Sequence, residues 1–111
     1  MRWEVVALIA TAVLVSFGCL VPNRYLPPLP NDKVMHFGAF ALLMLLACRL
    51  VTGPATIAAI ALGLLAASWL IECLQNLVPG RGFSWPDLAA NAAGIGCAGV
   101  LSAVMQSYGL N

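Results

Sequence analysis

Residues 54–78 read PATIAAIALGLLAASWLIECLQNLV, a run whose only charged side chain is Glu72. The run is long enough to cross the hydrocarbon core of a bilayer as a helix, which takes about 20 apolar residues. It shows no period-2 alternation, and in lipid only helices and closed barrels satisfy every backbone polar group. This stretch therefore predicts a transmembrane helix that carries an ionisable group.

The composition of the whole chain is also that of a membrane protein. Of its 111 residues 62% are hydrophobic and 8% are charged, with a mean hydropathy of +0.97. Soluble domains are about a quarter charged, so a soluble globular protein is excluded. We expect an all-α fold, an integral membrane bundle of four transmembrane helices in a single domain, 1–111. The predicted helices cover about 3–21, 34–51, 55–78 and 85–108.

Charge and cysteine content exclude other classes of protein. The net charge of +1 offers no basic footprint, so we expect no nucleic-acid partner. The four cysteines all fall within apolar runs and form no C-x-x-C pair, which predicts small buried hydrophobic residues rather than disulfides or metal ligands. The apolar stretch after Arg2 is too long for a typical signal peptide and lacks a convincing cleavage site, so we expect an uncleaved first span.

The links between the runs determine where polar residues meet. Four prolines between 22 and 30 exclude a regular helix there. Thr52-Gly53-Pro54 predicts a tight turn in which Pro54 begins the third helix. With four spans, the first and third links lie on the same side of the membrane, and both are flanked by polar residues. We therefore expect one polar site at one end of the bundle.

Polar residues at these helix ends recur at helical spacing. Asp32 and His36 share a face at the start of the second helix, next to Lys33. Glu72 is expected about 10 Å below the end of the third helix, with Gln75 one turn nearer the surface. An ionisable group in a membrane span marks a functional site unless it only fastens helices together.

The start of the fourth helix adds the remaining polar residues. Ser84 at the N-cap and Asp87 three residues later match a variant capping box, which alone would explain Asp87. The box does not explain Asn91, one turn further into the membrane. A stripe of small residues at spacing four predicts close helix contact: Ala90, Gly94, Ala98 and Ser102.

Taken together, these motifs resemble the VanZ-like family of bacterial membrane proteins. The resemblance covers about residues 30 to 99, and it rests on the order and spacing of Asp32-Lys33-x-x-His36, Glu72-x-x-Gln75 and Pro79-Gly80-Arg81-x-x-Ser84-x-x-Asp87-x-x-x-Asn91-x-x-Gly94. The family's namesake is associated with low-level resistance to teicoplanin. The resemblance thus implies a membrane protein of the cell envelope, but it supplies no reaction.

Three functions compete at this stage. The first is binding of an anionic lipid or lipid-linked cell-wall intermediate, with Arg81 and Lys33 holding phosphate. The other ligand-binding candidates are Asp32, Gln75, Ser84, Asp87 and Asn91. The second is an enzyme on such a substrate, with Glu72 or His36 as acid–base catalyst. The third is a structural network that fixes helix packing in a protein acting through a membrane-protein partner.

Metal binding and location complete the expectations. A metal site is conceivable, with nitrogen and oxygen ligands from His36, Asp32, Glu72 and Asp87. His36 is the only histidine and two cations lie nearby in sequence, so we expect no metal and no cofactor.

Arg2 and Arg49 lie on the side opposite the polar site, and Arg24, Lys33 and Arg81 lie on the site side. If Lys33 and Arg81 are committed to the site, the remaining bias predicts cytoplasmic termini in a bacterial inner membrane and an outward-facing site. Ligand identity and oligomeric state do not follow from the sequence.

Overall fold

Four helices make up the protein in the computed structural model, which describes residues 3–20, 32–80 and 82–110. They are α1 (Trp3–Leu20), α2 (Asp32–Cys48), α3 (Pro54–Gln75) and α4 (Trp85–Ser107). The described residues contain no strand, which confirms the all-α prediction. Three helices are long and apolar enough to cross a membrane, and α2 is a shorter apolar helix. The proline-rich link 22–31, Arg81 and the side chain of Asp32 lie outside the described residues.

Two predicted helix boundaries were wrong by a turn. α2 ends at Cys48 rather than 51, because the next residues form a turn in which Leu50 N–H donates to Ala47 C=O. α3 ends at Gln75 rather than 78, because the following three amides bond three residues back instead of four. Glu72 therefore lies in the last turn of α3 and not two turns below its end.

Helices α2 and α4 run parallel and form the centre of the bundle. Contacts between them keep a nearly constant offset in sequence: Lys33 meets Asp87, His36 meets Asn91, and the Met44 side chain lies against Gly99. The core lies mainly along this seam and consists of Phe40, Leu43, Met44, Cys48, Ile57, Ile95 and Ala98. Both helices consequently begin at the same end of the bundle.

The seam is close because α4 presents small residues to α2. Gly94, Ala98 and Ser102 are buried, as the spacing-four stripe predicted. At Gly94 a Cβ atom would overlap the carbonyl oxygen of Phe37 and lie 3.0 Å from the amide nitrogen of Ala41. Backbone-to-backbone approach of this kind is typical of small-residue helix interfaces in membranes.

Helices α1 and α3 pack antiparallel to this pair. α3 meets α4 in reverse order, with Glu72 near Ser84, Ser68 near Asn91 and Ile57 near Gly99. α1 is joined to α3 where Gln75 Nε2 donates to the Cys19 carbonyl at 2.7 Å. These pairings place the end of α3 beside the starts of α2 and α4.

The cysteines follow their prediction only in part. Cys19 and Cys48 are buried, as expected of small hydrophobic residues, and none of the four cysteines, all of them among the described residues, forms a disulfide. Cys97 is exposed on the outside of α4, because it points away from the α2 seam. In a membrane this position faces lipid.

At the end opposite the starts of α2 and α4, Gln106 ties the α2–α3 turn to α4. Its Nε2 donates to the carbonyls of Cys48 and Val51 at 3.1 and 3.0 Å, and its Oε1 accepts from Gly53 N–H at 3.0 Å. Gly53 has φ +96°, a conformation that favours glycine, and Pro54 follows as the first residue of α3. One side chain thus satisfies three backbone groups that a helix end leaves open.

Replacing Gln106 with leucine is expected to destabilise the bundle by about 1–3 kcal/mol, since three backbone groups lose their partner. Thermal unfolding in detergent, followed by circular dichroism, measures the change. Ser107→Ala is the matched control, because Ser107 bonds only within its own helix, to the Val104 carbonyl, and is exposed. Equal stability of the two variants would contradict the tethering role of Gln106.

Candidate functional site

The starts of α2 and α4 meet through an ion pair. Lys33 Nζ lies 2.5 Å from Asp87 Oδ1, and the two side chains are 50% and 12% exposed. Asp87 is held in place because Ser84 caps α4, its Oγ accepting the Asp87 N–H at 3.2 Å. The lysine thus remains accessible at the bundle end while its carboxylate partner is buried.

A chain of buried side chains continues inward from this pair. His36 Nε2 lies 3.5 Å from the second carboxylate oxygen of Asp87, and Nδ1 lies 2.9 Å from Asn91 Oδ1. Asn91 Nδ2 donates to Ser68 Oγ at 2.9 Å. Because the amide nitrogen of Asn91 faces Ser68, its oxygen accepts a proton from Nδ1. This arrangement leaves the lone pair of the neutral His36 ring on Nε2, which faces Asp87.

Glu72 completes the N-terminus of α4 from a neighbouring helix. Its Oε1 accepts the Ser84 N–H at 3.2 Å, and its side chain is fully buried. In a capping box an acid within the same helix makes this bond. The capping-box explanation of Asp87 was therefore wrong in that half: Glu72 supplies the acceptor, and the Asp87 carboxylate is turned toward Lys33 and His36.

We call these seven residues the polar cluster: Lys33, His36, Ser68, Glu72, Ser84, Asp87 and Asn91. Six of them are site candidates from the sequence, and the structure adds Ser68, which lies one helical turn before Glu72 in α3. Gln75 is directed elsewhere, because its side chain is buried against α1 and donates to the Cys19 carbonyl. Asp32 and Arg81 were also candidates, and their side chains lie outside the described residues.

The polar cluster contains a set of metal-ligand atoms. His36, Glu72 and Asp87 each offer one nitrogen or oxygen atom, and these atoms lie within 4.8 Å of one another. The three residues come from three different helices and have no local spacing in the sequence. The sequence offers these three residues, with Asp32, as conceivable ligands, and no metal is expected there because of the single histidine and the nearby cations.

A second ionic contact lies at the opposite end and was missed from the sequence. Buried Glu4 lies 3.4 Å from the Arg49 guanidinium, which also stands 5.1 Å from the centre of the Trp3 ring. The signal was available, because an acid next to an apolar run deserves the same scrutiny as Glu72. Glu4 lies in the first turn, where the helix dipole stabilises an acidic side chain, and this local explanation drew attention away from a contact with Arg49.

Comparison with known proteins identifies one family. The family model described as VanZ/LLP1 matches residues 5–106, which include all four helices almost completely. No curated protein matches the chain significantly. No solved structure matches it either.

Proposed function

Because the chain belongs to the VanZ/LLP1 family and folds as a helical membrane protein, we propose that its polar cluster binds an anionic head group at the membrane surface. The ligand class is a phospholipid or a lipid-linked cell-wall intermediate, both of which present phosphate. The observation that carries this proposal is the half-exposed Lys33, held by a buried carboxylate at the point where two parallel helices begin.

Local electrostatics support an anionic ligand at this point. The N-terminus of a helix carries a partial positive charge and free N–H groups, and α2 and α4 direct theirs to the same end. The ammonium of Lys33 adds a full charge, and its pairing with Asp87 holds it near both helix starts. Arg81, which lies outside the described residues but is only two positions before Phe83 in the sequence, is the second cation that we expect to hold phosphate.

Two other functions would use the same residues. In an enzyme, His36 Nε2 would act as a base with Glu72 as its partner, and the tautomer set by Asn91 favours this role. In a structural protein, the polar cluster would only fasten α2, α3 and α4 together while a protein partner carries the function. The enzyme requires that the bound lipid is converted to a product. The structural protein requires that substitutions in the polar cluster prevent folding rather than weaken ligand binding.

We place the protein in the bacterial cytoplasmic membrane, with both termini in the cytoplasm and the polar cluster outward. Arg49, at the end opposite the polar cluster, supports this orientation through the bias of arginine and lysine toward the cytoplasm. An altered susceptibility to teicoplanin in cells is the expected outcome if the bound lipid is a cell-wall intermediate.

Lipid retention measured by native mass spectrometry in mild detergent tests the proposal. We expect a defined anionic lipid on the wild type and at least about tenfold less on Lys33→Gln, since a charge-assisted hydrogen bond is worth about 1.5–3 kcal/mol. Lys33→Arg keeps the charge and should retain lipid. Arg81→Ala should lose it.

The control for charge alone is Arg49→Gln, which removes a cation from the opposite end and should leave retention unchanged. Circular dichroism establishes that each variant is folded. If wild type and folded Lys33→Gln carry the same mixture of lipids, head-group binding is contradicted. A protein partner would then be sought.

A further inference from the structure

We propose that His36, Glu72 and Asp87 bind one divalent metal ion of the Mn²⁺-to-Zn²⁺ class at the inner edge of the polar cluster. This inference rests on the proposed function in treating the polar cluster as a binding site, and it reverses the expectation that no metal is bound. The ligand atoms come from α2, α3 and α4 and lie within 4.8 Å of one another.

The first argument is the direction of the His36 lone pair. Asn91 Nδ2 donates to Ser68 Oγ, so Asn91 Oδ1 accepts the proton of His36 Nδ1. In this orientation Nε2, the nitrogen that can bind a metal ion, faces Asp87 Oδ2 at 3.5 Å. A proton on Nε2 or a metal ion between the two atoms would join them, and a metal ion can in addition bind the nearby Glu72.

The second argument is the set of partners around the three ligands. Metal-binding histidines almost always donate their other N–H to an acceptor, and metal-binding carboxylates are themselves hydrogen-bonded. Here His36 Nδ1 donates to Asn91, and Glu72 Oε1 accepts from Ser84 N–H. Asp87 gives one oxygen to Lys33 and turns the other toward His36, so the lysine does not occupy the metal-facing oxygen.

The third argument is geometric. Ligand atoms of a tetrahedral zinc lie about 3.3–3.6 Å apart, as follows from bonds of about 2.0–2.2 Å. The 3.5 Å between His36 Nε2 and Asp87 Oδ2 already fits this spacing. The other separations lie within 4.8 Å, so the ligand atoms would have to move closer together when an ion binds. One imidazole and two carboxylates suit Mn²⁺ and Zn²⁺, and three protein ligands leave a coordination position open.

A metal ion also explains why an anion site contains buried carboxylates. Glu72 and Asp87 by themselves would repel a phosphate group, and among the described residues of the polar cluster only Lys33 opposes their two negative charges. A divalent ion held between them reverses this balance, and its open position accepts a phosphate oxygen. The ion and Lys33 would then hold the same head group from two sides.

Metal binding can be tested without any lipid. The purified protein is treated with EDTA, desalted, and titrated with Zn²⁺ or Mn²⁺, and retained metal is counted by elemental mass spectrometry. We expect one ion per chain. His36 is the only histidine, so ¹⁵N-histidine labelling reports it without ambiguity. Diamagnetic Zn²⁺ should shift the Nε2 resonance, while Nδ1 keeps its proton.

Matched variants separate this site from adventitious binding. Glu72→Gln and His36→Gln should each weaken binding at least about tenfold, as loss of even a supporting partner does. Glu4→Gln removes a buried carboxylate at the opposite end, and Cys97→Ser removes an exposed thiol, so both should bind as wild type does. Folding of each variant is verified by circular dichroism.

Three outcomes would overturn the metal site: no retained ion, binding that survives His36→Gln, or a doubly protonated His36 in the presence of metal. The last would mean that a proton fills the place assigned to the ion. If Lys33→Gln loses lipid and the wild type binds no metal, the proposed head-group binding is supported and the metal site is not. Metal binding without lipid retention would contradict the head-group proposal instead.

Discussion

Replacing Gly94 with alanine should destabilise the bundle by about 3 kcal/mol or more, the largest effect we expect of a single methyl group in this chain. The added Cβ would overlap the Phe37 carbonyl oxygen and lie 3.0 Å from the Ala41 amide. Both contacts are with backbone atoms of α2, which cannot turn away as a flexible side chain would. Relief requires the two central helices to separate, which loosens the seam that contains the core.

Gly96→Ala is the matched control, two residues along the same helix. A Cβ at Gly96 meets nothing within 4 Å, so only the higher helix propensity of alanine acts, stabilising α4 by up to about 1 kcal/mol. Unfolding of both variants in mixed detergent micelles, monitored by circular dichroism, gives the two free energies. If Gly94→Ala and Gly96→Ala have the same stability, the close approach of α2 and α4 is wrong.

Glu72→Gln should abolish metal and lipid binding while the bundle remains folded. The amide oxygen of glutamine can still accept the Ser84 N–H, so the N-terminus of α4 keeps its cap. The negative charge is lost, and with it the strongest anionic ligand that α3 brings to the polar cluster. Metal and lipid retention report ligand binding, and thermal stability reports folding. All three are measured on the same preparation.

Two further variants define what this result means. Glu72→Leu removes the acceptor as well as the charge, so it should also lower stability, by about 1–3 kcal/mol. Glu4→Gln, at the other end of the bundle, should leave both ligands bound. A Glu72→Gln protein that fails to fold would favour the purely structural role. A folded Glu72→Gln protein that binds metal and lipid normally would exclude Glu72 from the site.

Features with a local chemical cause could be predicted from the sequence. The four helices follow from apolar runs between turn residues, and Pro54 begins α3 as its position after Gly53 indicated. Ser84 caps α4, because an N-cap depends on residues three positions apart. The small-residue stripe faces α2, since close packing needs small side chains at one helical spacing.

Features that depend on contact between helices could not be predicted. The turn after α2 is completed by Gln106 of α4, whose Nε2 donates to the Cys48 and Val51 carbonyls. In the loop after α3, Asn76 Oδ1 accepts the Phe83 N–H at 2.8 Å, a contact that helical spacing cannot reveal.

Gln75 shares a face with Glu72 but bonds to α1, which spacing along one helix cannot reveal. The convergence of His36, Glu72 and Asp87 likewise depends on how three helices are rotated. Their polarity was visible in the sequence, but their distances were not.

The length of α2 has a consequence for the surrounding lipid. Its 17 residues rise only about 25 Å, whereas the hydrocarbon layer of a typical bilayer is about 30 Å thick. Lipids beside α2 must shorten or tilt to match it, at a cost of a fraction of a kcal/mol per Å of mismatch. The bilayer should therefore be thinner beside Lys33, so that the phosphates of neighbouring lipids lie at the level of its ammonium group.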